Sequence, residues 1–509
     1  MEIMHRPHVA LLSSPGLGHL IPTIELGKLL VLRHGFKVTI LAITSQTSEA
    51  ESRILKSAIS SINFCDFLEL PPADLSGLLE NEAAIVERLC VVMRETKGAV
   101  RSVLSNMAHP PSVLIVDIFG SECLSIAEEF RMLKYVYVAS NAWFFSLTLY
   151  SPILDKQVQG QFVDQKEPFE IPGCSPLRPE DVVDPMLDRN TRQYQEYIGI
   201  GMGVRKGDGI LVNTWEELQR KDLESLRDEN LLGGLLKVPV YAIGPLVREP
   251  EPPSSSTIGL LGWLDQQPSE SVVYVSFGSG GTLSHEQTIE VAWGLELSRL
   301  RFMWVVRPPN RGRADSAFFS TGDGSREDDD PSNYLPEGFK ERTRKMGRLI
   351  PQWAAQASIL RHPSVGGFMS HCGWSSSLES ITNGVPMVCW PLYAEQRMNA
   401  TLLAEELRVG VRPKVLPAKK VVGREEIASM LREIMEGKPN PIRERARELR
   451  ESAAKAMERD GLSRTALDHV ANLCCARAAE CETHEHQSVL TSPSVSHVSS
   501  NLLSQRTQR

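Results

Sequence analysis

Short continuous apolar runs alternate along this chain with longer segments whose apolar residues recur at helical spacing. A strand buried on both faces of a sheet needs no polar positions, whereas a helix covering that sheet keeps one polar face. The pattern therefore predicts strands separated by amphipathic helices. In the first half the strands fall at His8–Ser14, Lys37–Ile43, Val113–Ile118, Tyr135–Ala139 and Gly209–Asn213. Helices lie between several of them, such as Leu20–Leu32 and Cys123–Phe130. The second half repeats the scheme, with strands at Ser271–Phe277, Phe302–Val306, Val365–Ser370 and Pro386–Cys389. Parallel strands joined through helices make a sheet covered on both sides. The predicted fold class is α/β, with two doubly wound, Rossmann-like domains.

Breaks in the pattern mark the boundaries. Gly244 to Ile258 is rich in Pro, Glu and Ser, and residues 246–258 are read as a semi-rigid linker. It separates an N-terminal domain, residues 1–245, from a C-terminal domain, residues 259–476. Pro308–Pro331 mixes Asp, Gly, Arg and Ser without a period and is read as a mobile surface loop. A charged helix covers Pro441–Arg459, and another, Ser463–Ala476, could pack back on the N-terminal domain. The polar, Ser-rich residues 477–509 are read as a disordered tail.

At 509 residues the chain exceeds what one core supports, which agrees with two domains. Its net charge of −8 argues against a nucleic-acid partner and against attraction to anionic membranes. No stretch reaches the roughly 18 consecutive apolar residues of a membrane span. The nine cysteines are scattered without a C-x-x-C pair, so neither a metal site nor a disulfide framework is indicated. Buried thiols in a reducing compartment fit this pattern, and the expectation is a soluble, cytoplasmic monomer.

Candidate chemistry sits where strands end. Ser13-Ser14-Pro15-Gly16-Leu17-Gly18-His19 follows the first strand and opens a helix. A dinucleotide fingerprint would need a third glycine at position 21, which is Ile, and an acidic residue closing the second strand, which is absent before Glu49. What remains is a flexible turn that delivers His19 to a helix N-terminus, either as a proton acceptor or only as a cap. Asp117 ends the run Val113-Leu114-Ile115-Val116, at the edge where parallel sheets bind ligands. Its plainer reading is a cap for the helix that begins near Ser121. A second glycine turn, Phe277-Gly278-Ser279-Gly280-Gly281-Thr282, opens the C-terminal half, beside a possible capping pair, Ser284 and Gln287.

The most informative segment runs from Trp353 to Gln396. The apolar run Val365–Met369 stops at Ser370-His371-Cys372-Gly373-Trp374, and a Ser-rich helix start follows at Ser375-Ser376-Ser377. Strand, glycine turn and helix N-terminus point unpaired N–H groups and a positive dipole end at one spot, which suits an anion. Ser376 and Glu379 also fit a capping box. Around them stand a stacking face at Trp353, a donor at His371 and a carboxylate–amide pair at Glu395-Gln396.

This segment resembles the signature box of plant family 1 glycosyltransferases, which move a sugar from a UDP-sugar to a small acceptor. W-x-x-Q, H-P-x-x-G-G-F, H-C-G-W, S-x-x-E-S, G-V-P, W-P and E-Q all match. The resemblance implies the GT-B arrangement, two such domains facing across a cleft, with UDP-glucose as co-substrate and no metal or other cofactor. It implies a catalytic dyad of His19 and Asp117. On the donor side it implies Trp353 stacked on uracil, the Ala354 backbone at the base edge, and Gln356 and Glu379 on the ribose. Ser279, His371, Gly373, Ser375 and Ser376 would meet the diphosphate, Trp374, Glu395 and Gln396 the sugar, and Tyr393 would also lie on the donor side. The final Gln396 is associated with glucose rather than galactose. Members of the family usually carry Pro where this chain has Ala355 and Asn where it has Ser375. The second difference shortens a donor near the phosphates.

Ile171–Cys174, Phe277–Gln287, Tyr334–Phe339 and Pro391–Leu403 resemble the branch that glucosylates hydroquinone and monolignols. A small phenolic acceptor follows, with Phe119, Trp143, Phe144 and Phe145 as candidate walls or as ordinary core. The linkage stays open at this point, since the same base could activate a carbon beside a phenoxide. A nicotinamide-dependent oxidoreductase and a non-catalytic binder of UDP-sugars or phenols remain as rival classes.

Overall fold

The computed structural model describes residues 6–43, 65–80, 83–250, 254–309, 330–417, 419–437 and 439–491. The strands of the first half are β1 (His8–Ser13), β2 (Lys37–Ile43), β3 (Cys65–Leu70), β4 (Val113–Asp117), β5 (Leu133–Val138), β6 (Gly209–Val212) and β7 (Val240–Ala242). They form one sheet in the order β3-β2-β1-β4-β5-β6-β7. The second half supplies β8 (Val272–Ser276), β9 (Arg301–Val306), β10 (Gly347–Pro351), β11 (Val365–Ser370), β12 (Met387–Cys389) and β13 (Gly410–Val411). These form a second sheet in the order β10-β9-β8-β11-β12-β13. All neighbouring strands in both sheets pair in parallel.

Each strand of the first sheet feeds two layers of core. Along β1, Ala10 and Leu12 pack with Leu114, Val116 and Trp143 on one face. Val9 and Leu11 pack with Val113, Ile115 and Leu30 on the other. Full burial of each such side chain contributes about 1.5–3 kcal/mol, which is why the central strands read as continuous apolar runs. The chain reverses strand order between β1 and β4 and again between β8 and β11. A crevice opens at the carboxyl ends of the strands at such a reversal.

A polar seam joins the two halves. The Trp374 indole N–H donates to the Asn213 carbonyl at 2.8 Å, and the Asn141 amide donates to Asn399 at 2.6 Å. Buried Asp181 takes Arg178 from its own half at 2.6 Å and Arg412 from the other at 3.0 Å. The last helix crosses back, placing Leu467, Val470, Ala471 and Cys474 in the core beside β1.

Two expectations change. The last helix runs from Leu462 to Thr491, so the start of the segment read as a tail is helical. Residues 477–491 hold neither Gly nor Pro and are rich in Ala and Glu, so nothing there stops the helix. The expected linker ends in structure as well, because Ser254 caps a helix over Ser255–Leu264. Most of the expected loop at Pro308–Pro331 and residues 251–253 and 492–509 lie outside the described residues. No helix among the described residues is long and apolar enough to cross a membrane.

Candidate active site

His19 sits in the first turn of the helix Leu17–His34, directly after β1, and Asp117 is the last residue of the adjacent β4. Both therefore stand at the first strand-order reversal. His19 Nδ1 lies 3.7 Å from Asp117 Oδ2, with the His19 side chain 22% exposed and the Asp117 side chain 2%. Asp117 has two duties. Its Oδ1 accepts the Gly120 N–H at 3.0 Å and so caps a short helix, Ile118–Cys123, which starts directly after it rather than near Ser121. Its Oδ2 accepts the Ser14 N–H at 2.9 Å and the Ser14 hydroxyl, and also faces His19. The Phe119 ring meets the imidazole edge-on, with centroids 5.2 Å apart.

The second reversal carries the other group. The glycine turn holding Ser279 follows β8, and His371 follows β11. Side-chain-free backbone encloses His371: a Cβ on Gly278 would stand 2.4 Å from its Nε2, and one on Gly373 would stand 2.5 Å away. Burial, with the Arg307 cation beside it, lowers the imidazole to about 3, so it is neutral. Its buried Nδ1 has no partner among the described residues. Arg307, after β9, donates to the Gly281 carbonyl at 3.3 Å and to the Gln352 carbonyl at 3.1 Å, tying the glycine turn to the segment that leads into Trp353.

Ser376 and Glu379 do not form a capping box. The helix is Trp374–Thr382 with Gly373 as its N-cap, so both residues lie inside it. Gln356 reaches across to donate to Ser376 Oγ at 2.8 Å and to Glu379 Oε2 at 2.7 Å. Burial pushes the Glu379 carboxyl up to about 7, against the stabilising Gln356 donor. Trp353 stays 38% exposed at the mouth. Ser284 does cap its helix, accepting the Gln287 N–H at 3.1 Å.

These groups line one cleft between the sheets, with an internal volume of about 240 Å³. It brings together His19, Asp117, Phe119, Phe144, Ser279, Trp353, Ala354, Gln356, His371, Gly373, Trp374, Ser375, Ser376, Glu379, Tyr393, Glu395 and Gln396. Two expected wall residues are not on it. Trp143 and Phe145 are core, and the Trp143 indole donates to the Ser175 carbonyl at 3.0 Å. They flank Phe144 on the helix Ala142–Gln157, where each residue is turned about 100° from the last, so one of three successive rings faces the cleft. Trp374 also spends its indole N–H on the seam to Asn213.

Several cleft residues escaped the sequence reading. Ile85 and Leu89, on the helix Ile85–Ser105, supply further apolar wall to the same cleft, and Ser140 donates to Glu395 at 3.1 Å across the seam. Arg307 carried a signal, since it is polar and follows a buried strand, as Asp117 ends one.

Comparison with known proteins agrees with this geometry. Residues 262–439 match the family model described as UDP-glucoronosyl and UDP-glucosyl transferase. An anthocyanidin 3-O-glucosyltransferase 5 of Manihot esculenta is 56% identical over 463 residues, covering 91% of this chain and 94% of that protein. The chain belongs to the UDP-glycosyltransferase family. A hydroquinone glucosyltransferase of Rauvolfia serpentina is 40% identical over 471 residues, covering 92% of this chain and 97% of the relative, in agreement with the branch the sequence resembles. The crystal structure of TcCGT1 in complex with UDP superposes with a TM-score of 0.87 at 45% identity, covering 93% of this chain and all of the other. As a UDP-glycosyltransferase with the GT-B fold, the chain takes a UDP-sugar as donor. Membership in this family displaces the nicotinamide reading, whose fingerprint already failed at Ile21.

Proposed function

We propose that this UDP-glycosyltransferase transfers glucose from UDP-glucose to a small phenolic acceptor with inversion at the anomeric carbon, giving a β-glucoside. The observation that carries the reading is one cleft with a histidine–carboxylate pair on one wall and a glycine turn, a helix N-terminus and an open tryptophan face on the other. Uracil stacks on Trp353, with the Ala354 backbone at its edge; such stacking contributes about 1–3 kcal/mol. Gln356 and Glu379 hold the ribose. The diphosphate meets Ser279, neutral His371, the Gly373 backbone, Ser375 and Ser376, so its charge is met by dipoles and donors without a metal. Trp374, Tyr393, Glu395 and Gln396 surround the glucose. The acceptor ring lies among Ile85, Leu89, Phe119 and Phe144, where burying about 150 Å² of ring contributes roughly 4 kcal/mol.

Asp117 faces His19 Nδ1, which places the ring's proton there and leaves Nε2 to accept one. Prior ionisation of a phenol, ordinary pKa about 10, by an imidazole of about 6.5 would cost about 5 kcal/mol. The proton therefore passes to Nε2 while the acceptor oxygen attacks the sugar C1. The C1–O bond breaks in line, its electron pair leaves with UDP, and Asp117 offsets the imidazolium charge. Residues 1–245 hold the acceptor and the dyad, and the second half, from the helix Ser255–Leu264 onward, holds the donor. We place the enzyme in the cytoplasm as a monomer; its nine free cysteines, seven of them buried, suit a reducing compartment.

The test is incubation with UDP-glucose and a panel of phenols, flavonoids and terpenoids, with products read by mass spectrometry. Gain of one hexose on a phenol is expected. No transfer to any member while UDP still binds would leave a non-catalytic binder.

A further inference from the structure

The turn that carries Glu395 and Gln396 is held from the opposite domain. Ala394 adopts φ 56°, a left-handed backbone that residues with a Cβ seldom take and keep only where the surroundings impose it. The imposing group is Asp184, the first residue of the short 3-10 helix Asp184–Leu187 in the N-terminal half. Its backbone N–H donates to the Ala394 carbonyl at 3.1 Å, and its Oδ2 accepts the Ala394 N–H at 2.7 Å. Its Oδ1 takes the guanidinium of Arg397, whose other arm reaches the Val182 carbonyl at 2.9 Å. Arg397 is buried, so the charge needs this carboxylate. Gln396 Oε1 turns back to accept the N–H groups of Leu392 at 2.9 Å and Tyr393 at 3.1 Å. The amide's orientation therefore depends on the backbone that Asp184 fixes.

We infer that Asp184 is a positioning residue for sugar recognition, holding the Tyr393–Gln396 turn in the conformation that aims Glu395 and Gln396 into the cleft. The inference rests on the proposed reading of those two residues as sugar contacts. Asp184 itself is not among the residues lining the cleft. It makes the N-terminal domain, through a short helix whose Val183 cap and Pro185 line the same cleft, a determinant of which sugar the C-terminal domain accepts. A carboxylate is required because both of its oxygens face donors. An asparagine would turn an NH2 group toward either the Ala394 N–H or the guanidinium.

The test measures kcat/KM with UDP-glucose and with UDP-galactose, beside UDP affinity by calorimetry, for Asp184→Asn, Asp184→Glu and Gln396→Ala. Asp184→Asn should lower kcat/KM for UDP-glucose about 10- to 100-fold, the scale of a misplaced contact, with UDP affinity kept within about twofold. The glucose-over-galactose preference should shrink about fivefold or more, and Ala394→Gly in the same chain should restore part of it, since glycine takes the left-handed backbone freely. Asp184→Glu keeps the charge but displaces both oxygens, and serves if the amide variant does not fold; it too should lose preference. Preference lost in Gln396→Ala but unchanged in both Asp184 variants overturns the inference and leaves the sugar reading standing. Preference unchanged in all three overturns the reading of Gln396 and the inference with it.

Discussion

Asp117 Oδ2 stands 3.7 Å from His19 Nδ1 while the same oxygen already accepts the N–H and the hydroxyl of Ser14. The carboxylate is thus fixed first and offered to the imidazole second. A catalytic hydrogen bond that is long before substrate arrives tightens in the reacting complex.

Replacing His19 by Ala should therefore lower kcat by about 100- to 10,000-fold, the usual contribution of a general base, with UDP affinity unchanged. Steady-state rates beside calorimetric UDP titration check this. Equal loss of rate and of UDP affinity would move His19 from base to donor contact.

The pH dependence of UDP binding should report Glu379. Its carboxyl is raised from 4.5 to about 7 by burial, so near neutrality the free protein still holds part of a proton there. Ribose hydroxyls donate best to the ionised form, so UDP should bind more tightly as pH rises from about 6 to 8, and Glu379→Gln should flatten the profile. The stability term has the opposite sign. Below 4.5 folded and unfolded chains both carry the proton, between 4.5 and 7 the folded chain alone holds it, and stability falls as pH rises through that window. Asp222, also raised to about 7, contributes in the same direction, so only the difference between wild type and Glu379→Gln isolates Glu379. Identical binding profiles in the two proteins would remove Glu379 from the ribose site.

Much of this architecture was legible in the apolar runs, and the misses share a cause. The strands not anticipated, β3, β7, β10 and β13, are the four edges of the two sheets. An edge strand has a neighbour on one side only and need not be apolar: Cys65–Leu70 buries its two ends and leaves Asp66 and Glu69 exposed. That the Trp353–Gln396 residues gather on one cleft was legible because they are close in sequence and their spacing is fixed by strand, turn and helix. Ile85 and Leu89 were not, because they reach the cleft by tertiary packing and carry no local pattern, and neither was Asp184, which meets the Ala394 turn from a distant part of the chain. Phe144 could not be told from Trp143 and Phe145 without the rotation of their helix.

Those neighbouring rings separate function from stability. Phe145→Ala should destabilise the protein by about 3–5 kcal/mol through a core cavity, read by denaturant unfolding. Phe144→Ala, at the cleft wall, should raise the acceptor KM with a smaller stability loss. A larger acceptor effect from Phe145 than from Phe144 would contradict the assignment of the wall.

Two positions, Ser375 and Ala355, differ from the family pattern the sequence resembles and invite substitution. Ser375→Asn adds reach and a donor in the first turn of the helix Trp374–Thr382, and should lower the UDP-glucose KM about fivefold, equivalent to about 1 kcal/mol. Ala355 has φ −74°, which proline can adopt, so Ala355→Pro should stabilise the fold by about 0.4–1 kcal/mol without changing rates. An unchanged or higher KM in the first, or destabilisation in the second, would show that this cleft has settled on its own solution.

The most direct test of the central claim is the anomeric configuration of the product. UDP-glucose carries an α-linked sugar, and one in-line displacement by a phenol held against His19 must invert it. Proton NMR of the purified glucoside should show the β-anomer from the first turnover. An α-glucoside would contradict the single-displacement mechanism and the role given to His19 and Asp117.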